Sequence, residues 1–184
     1  DVYKRQPQST AERPGWPAWE AFKAQFINEG GRVISDDAGG GQTYSEGQAY
    51  ALFFALVAND RTTFDKLLRW TENNLCDGDM TARLPAWLWG KRPDGTWGVI
   101  DSNAASDADL WIAYALGEAG RLWNVRTYRA LSALLAARIL REETAQLPGL
   151  GLTLLPAPQG FAQKDGRWRL NPSYMPMHLS LIHI

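Results

Sequence analysis

Two short segments carry the residues best suited to chemistry, Ser45-Glu46-Gly47 and Ala105-Ser106-Asp107-Ala108-Asp109. Each opens a stretch patterned as a helix, and each places a carboxyl in that helix's first turn. A helical hairpin's length of chain separates them. If the two helices run side by side in one direction, Glu46 and Asp107 open on one face. Cleavage of a glycosidic bond uses such a pair: a carboxylic acid protonates the departing oxygen, and a second carboxylate handles water or the anomeric carbon opposite. The positive end of a helix favours the ionised form, whereas a general acid must keep its proton. A neighbouring carboxylate resolves the conflict by raising one member's pKa, and Glu46 is expected to be that member. Taken singly, either acid also fits an ordinary helix start that satisfies the dipole.

The other acids read differently. Residues two apart on a helix point about 200° from each other, so Asp107 and Asp109 cannot easily grip one ion, and Asp109 is read as a brace for nearby backbone. Asp36-Asp37 reads as a solvated turn, and Asp77-Gly78-Asp79 lacks the rest of a calcium loop. Nine tryptophans offer flat platforms for the C–H faces of sugars. Trp87 and Trp89 flank Leu88, and strand alternation would put both on one side. Trp19, Trp70, Trp111 and Trp123 sit in helical patterns and read as core.

These groups need a scaffold. Helical spacing covers residues 17–29, and Gly39-Gly40-Gly41 marks a loop. Residues 45–58, with Ser45 as N-cap, are apolar nearly all round and so buried. Residues 61–75 carry one apolar stripe beside a charged face, as an outer helix does. The pattern repeats in 106–119 and 126–144, and two inner-then-outer pairs suggest an α/α toroid. Pro93-Asp94-Gly95 marks the turn of a short hairpin, and Lys164-Asp165-Gly166 marks a second turn. Even with a helix after Pro176, the chain supplies only about three helical hairpins.

Composition narrows the function classes. At 184 residues and 45% hydrophobic, one domain is the default. A net charge of -1 gives no basis for a nucleic-acid partner. No run reaches the roughly 20 apolar residues of a membrane span, so no membrane insertion is expected. The single Cys76 reads as a small buried residue, and His178 and His183 are too few for a His-based triad or zinc site. Residues 1–6 (DVYKRQ) and 179–184 (LSLIHI) are unrelated to the patterned chain and are read as non-native ends. The native gene is then expected to continue on both sides, and a missing leader says nothing of location.

ASDADLWIAYALGEAGRLW, over residues 105–123, resembles the signature of glycoside hydrolase family 8, and SEGQAYALFFALVANDRTTFD resembles the segment bearing that family's proton donor. Together with WPAWEAFK, GRVISDD, RLPAWLWGK, DSNAASD, PGLG and NPSYMP, the resemblance is nearest to the cellulases of bacterial cellulose-synthesis operons. It implies a partial family 8 catalytic domain over residues 16–178. The fold it implies is all-α, an (α/α)6 barrel present as an incomplete N-terminal half with short β-hairpins in its loops. The implied activity is endo-acting hydrolysis of β-1,4-glucan with inversion of configuration, with no metal or organic cofactor. Export to the periplasm or medium and association with a cellulose synthase complex belong to the same expectation. Glu46 corresponds to the proton donor and Asp107 to a second active-site residue, either a base or a holder of sugar or water. Trp87 and Trp89 fall where the family lines its cleft, with Asp101, Ser102, Asn103 and Tyr174 as neighbours of the sugar. Tyr44 departs from the small hydroxyl residue of many relatives. The family's base lies downstream of the Asn-Pro-Ser-Tyr motif, beyond this chain, so the native protein is expected to be active and the 184-residue chain nearly inactive. Two rivals stand beside this: a non-catalytic glucan-binding protein, and a family 8 hydrolase of xylan or chitosan.

Overall fold

A computed structural model describes residues 15–36, 40–162 and 166–176. Asp37, Gly39, the Lys164-Asp165 pair, both histidines, the helix expected after Pro176 and the two chain ends fall outside the described residues.

Proline at the first helical position starts α1 (Pro17–Phe26), where its missing N–H is not needed. The helix stops three residues earlier than its periodicity suggests, because Ile27 turns extended and bridges to Val33. Trp19, 2% exposed, packs on Phe22 at 5.8 Å and on Phe54 of the next helix at 6.4 Å.

Two helical hairpins follow, and they repeat a design. In the first, α2 (Ser45–Val57) buries Ala49, Ala51, Leu52 and Ala55 completely, while α3 (Arg61–Leu75) buries the stripe of Phe64, Leu67, Leu68, Thr71 and Leu75. In the second, α4 (Ser106–Leu122) is the buried partner and α5 (Arg126–Glu142) the outer one. Each hairpin turns on an asparagine with positive φ, Asn59 at 56° and Asn124 at 55°, a conformation asparagine tolerates better than most residues. The two turns are tied, since Trp123 Nε1 donates to Asn59 Oδ1 at 2.7 Å. Asp60 caps α3, accepting from the Thr63 N–H at 3.0 Å and hydroxyl at 2.7 Å. α4 packs on both α2 and α5, and at Gly120 a Cβ would lie 2.8 Å from the Arg129 nitrogen, so only glycine allows that close approach.

Ser45 is not the N-cap. It is the first helical residue of α2, and Tyr44, extended, holds the cap position without a side-chain bond to the helix end. Ser106 stands likewise after Ala105. The reason is tertiary: the Ser45 N–H donates to the Trp87 carbonyl and the Ser106 N–H to the Pro156 carbonyl, each at 3.0 Å. Neighbouring chain satisfies donors that a capping side chain would otherwise serve.

The short strands lie around these helix starts. β1 (Thr43–Tyr44), β2 (Leu88–Lys91) and β3 (Trp97–Asp101) form an antiparallel sheet in that order, with the expected turn at residues 92–96. A second hairpin, β4 (Thr144–Leu147) with β5 (Gly151–Leu154), is absent from the sequence reading. β4 begins where α5 was expected to continue. Pro172–Tyr174 form a 3-10 turn, opened by Asn171, which accepts the Ser173 N–H at 3.1 Å.

Candidate active site

Glu46 occupies the first turn of α2 and Asp107 the first turn of α4. The two inner helices run in the same direction, since Tyr50 of α2 meets Trp111 of α4 at 6.1 Å and, further along both, Phe53 meets Tyr114 at 6.2 Å. Both carboxyls are half-buried. Burial pushes the Glu46 carboxyl above its ordinary range, its own backbone N–H pulls against that, and Asp107 pushes it further up. Asp107 is also raised, chiefly by burial, against donation from the Ala108 N–H at 2.9 Å. Desolvation therefore outranks the neighbouring carboxylate as the cause for Glu46, and the shift falls on both acids rather than on one. A carboxyl pushed in this direction moves toward the range in which a general acid works.

Glu46 lies in a groove of about 550 Å³ walled by aromatic rings, among them Tyr44, Tyr50, Phe54 and Trp87. Tyr44 and Trp87 face each other at 5.9 Å and 33°, so the Tyr44 departure builds part of the wall. Asp36, exposed, stands at the rim. Tyr50 and Tyr174 both feel the charges of Asp107 and Glu46, which add to burial in raising their phenols. Tyr174 thus lies within electrostatic reach of the two acids. Tyr50 was missed, although its position four residues after Glu46 places it on the same side of the helix.

Trp89, Asp101 and Asn103 lie elsewhere. Trp87 precedes β2, and the ladder slips between Leu88, paired with Asp101, and Trp89, paired with Val99. The extra twist at such a bulge breaks the alternation expected to align the two indoles. Trp89 instead meets Trp97 at 5.4 Å and Trp70 at 5.3 Å, with the Arg32 guanidinium 4.4 Å from its ring centre and 4.9 Å from that of Trp97. It lines a larger polar cavity of about 730 Å³, shared with Ser102 and Asn103, that contains neither acid. Asn103 exchanges bonds with the Gln159 backbone at 3.1 and 3.3 Å, and Asp101 accepts the Asn103 N–H at 2.9 Å. Both hold loops together.

Other expectations resolve simply. Cys76 is buried, and burial pushes its thiol up. Asp77 pairs with Arg83 at 3.3 Å, while Asp79 accepts from Thr81 and Ala82. No group of three or more His, Cys, Asp or Glu suited to a metal occurs among the described residues, and no helix there is long and apolar enough to cross a membrane. Asp109 does not brace backbone: both its oxygens are buried without a backbone partner.

The family profile of glycosyl hydrolases family 8 matches residues 7–182. The chain belongs to that family. An endoglucanase of Escherichia coli (strain K12) is 53% identical over 165 residues, covering 90% of this chain and 45% of the relative. Among solved structures, the endo-1,4-D-glucanase from Vibrio fischeri ES114 superposes with a TM-score of 0.85 at 57% identity, covering 89% of this chain and 47% of that one. The endo-β-1,4-glucanase CMCax from Acetobacter xylinum gives 0.78 at 33%, covering 90% and 50%. The chain thus spans about half the length of the family 8 proteins it matches. Its paired helical hairpins are part of the (α/α)6 barrel, with the Glu46 groove at the inner helix starts.

Proposed function

We propose that this chain carries the acid half of an endo-acting β-1,4-glucanase that inverts configuration. The observation that supports this most is the raised, half-buried Glu46 in an aromatic-walled groove beside Asp107. Glu46 protonates the glycosidic oxygen as the bond breaks. Asp107, held in its turn by the Ala108 N–H, orients sugar or water. The tilted Tyr44 and Trp87 rings receive the C–H face of a glucosyl unit. Inversion needs a base on the far side of the sugar, roughly 6.5–9.5 Å from the acid, and we assign it to the family's aspartate downstream of Tyr174. On the same reading the substrate is cellulose-type polysaccharide, the protein works in the periplasm or outside the cell, and it serves a cellulose synthase complex.

The test is Glu46→Gln in a protein that includes the downstream base. Viscometry on carboxymethylcellulose should show hydrolysis lowered by about 10²–10⁴-fold, the usual worth of a positioned acid, with cello-oligosaccharide binding retained. Undiminished hydrolysis would remove Glu46 from the role. A wild type that binds glucan without cutting it would favour the binding-protein reading. Proton NMR of the first product should show the inverted anomer.

A further inference from the structure

Behind the groove lies a second pair of acids that the proposed chemistry does not use. Asp109 is one turn into α4, and Glu143 is the first residue beyond α5. Neither side chain has any exposed surface. The two carboxyls are each other's neighbours, and no N–H or hydroxyl among the described residues donates to any of their four oxygens. Ser106 Oγ, one turn earlier on the same side of α4, is also buried and unpaired. Among the described residues, the titratable groups whose charge bears on the pair are Asp107 on α4, Glu46 on α2, Glu142 on α5 and Cys76 after α3, and none of these is a cation. Arg138, which has the reach, is spent on Glu142 and the Thr81 carbonyl, each at 2.6 Å.

Two bare carboxylates cannot occupy such a site, since each would be buried without solvent or counter-charge. One proton changes the balance. An O–H on one carboxyl then donates to the ionised oxygen of the other, a charge-assisted bond of the strong class. Burial and the facing negative charges drive both groups well above the ordinary carboxylate range.

We infer that Asp109 and Glu143 share one proton and act as a positioning pair that latches the first turn of α4, which carries Asp107, to the end of α5. The backbone completes the latch. The Glu143 carbonyl accepts the Leu155 N–H at 2.7 Å, and the next residue, Pro156, accepts the Ser106 N–H at 3.0 Å. One short stretch after β5 therefore holds both ends of the pair. Loss of the shared proton at alkaline pH sets two charges against each other inside this ring and frees the turn bearing Asp107.

The consequence for turnover rests on the role proposed for the groove, but the proton itself is measured without it. Infrared spectra of the 184-residue chain near neutral pH should show the C=O band of a protonated carboxyl, persisting well above the roughly 4 at which ordinary carboxyls ionise. The band should be unmoved by Glu46→Gln and should shift in frequency in Asp109→Asn and in Glu143→Gln, where the remaining buried carboxyl keeps its proton but loses its charged partner. Its absence from the wild type, or an unmoved band in both amide variants, overturns the inference. Should the amide variants not fold, the wild-type titration and the Glu46→Gln spectrum still decide. In a protein with the complete site, Glu143→Ala should lower kcat by about 10²-fold, the cost of misplacing a reacting group by an ångström, with KM nearly unchanged and Glu143→Gln restoring most of the loss. Equal loss in both variants, or a change in KM alone, refutes the positioning role while leaving Glu46 untouched.

Discussion

Replacing Gln48 by leucine tests whether a buried amide holds the wall of the groove. Gln48 is fully buried, two residues past the candidate acid. Its Oε1 accepts the Val33 N–H at 2.6 Å, and its Nε2 donates to the Gly31 carbonyl at 3.2 Å and the Thr71 hydroxyl at 2.9 Å. Leucine fills nearly the same volume but can neither donate nor accept. Thr71 keeps its own bond to the Leu67 carbonyl at 2.9 Å, so two groups are orphaned, the Val33 N–H and the Gly31 C=O. Each buried orphan costs about 1–3 kcal/mol. The apolar surface that leucine adds returns about 1 kcal/mol. A net loss of about 3 kcal/mol follows, and at about 2–4 °C per kcal/mol for a chain of this length, Tm falls by roughly 6–12 °C. Urea unfolding followed by tryptophan fluorescence should show a lower midpoint with an unchanged slope. Because Val33 and its neighbour Ile34 line the groove, glucan binding should weaken as well. A loss below about 1 kcal/mol, with the midpoint unmoved, refutes the account of Gln48 as the tie between the 31–33 loop, α2 and α3.

Two further predictions concern the same region. Burial opposes the charge on Asp60, but donation from Lys23, Thr63 and Trp19 outweighs it and holds the carboxyl at about 2. The folded pKa lies below the unfolded one, so this stabilisation is present above about pH 4 and lost as pH falls toward 2. Discounted for partial exposure it is worth about 1–2 kcal/mol. Acid unfolding of Asp60→Asn should lack that contribution, and identical acid limbs for variant and wild type would contradict it. Gly31 has a φ of 90°, and a Cβ there would lie 2.4 Å from the Lys66 carbonyl oxygen. Gly31→Ala should therefore cost about 3 kcal/mol or more, from backbone strain and overpacking together. A denaturation midpoint equal to that of the wild type would show that the loop yields freely.

The helices were readable because their signals are local. Phe64, Leu67, Leu68 and Leu75 announce the buried stripe of α3 by spacing alone, and the carboxyls at 46 and 107 announce two helix starts. The α2 cap was misread because Ser45 resembles a capping residue, while the Trp87 carbonyl that serves its N–H comes from distant chain. β4 and β5 were hidden for a different reason: they pair across only residues 148–150, in a run that looks like a loop.

What the sequence determined by itself is the inventory: inner and outer helices from period and polarity, an acid at each inner start, and the motifs of the family. Tertiary structure decided which of those residues share a site. A one-residue slip beside Leu88 keeps Trp87 with Glu46 and leaves Trp89 to Arg32. Helix packing seals Asp109 against Glu143 while Asp107, two positions away, stays near the groove. Periodicity along a chain fixes which face a residue occupies, but what waits on that face is set by segments far off in the chain, brought there only by folding.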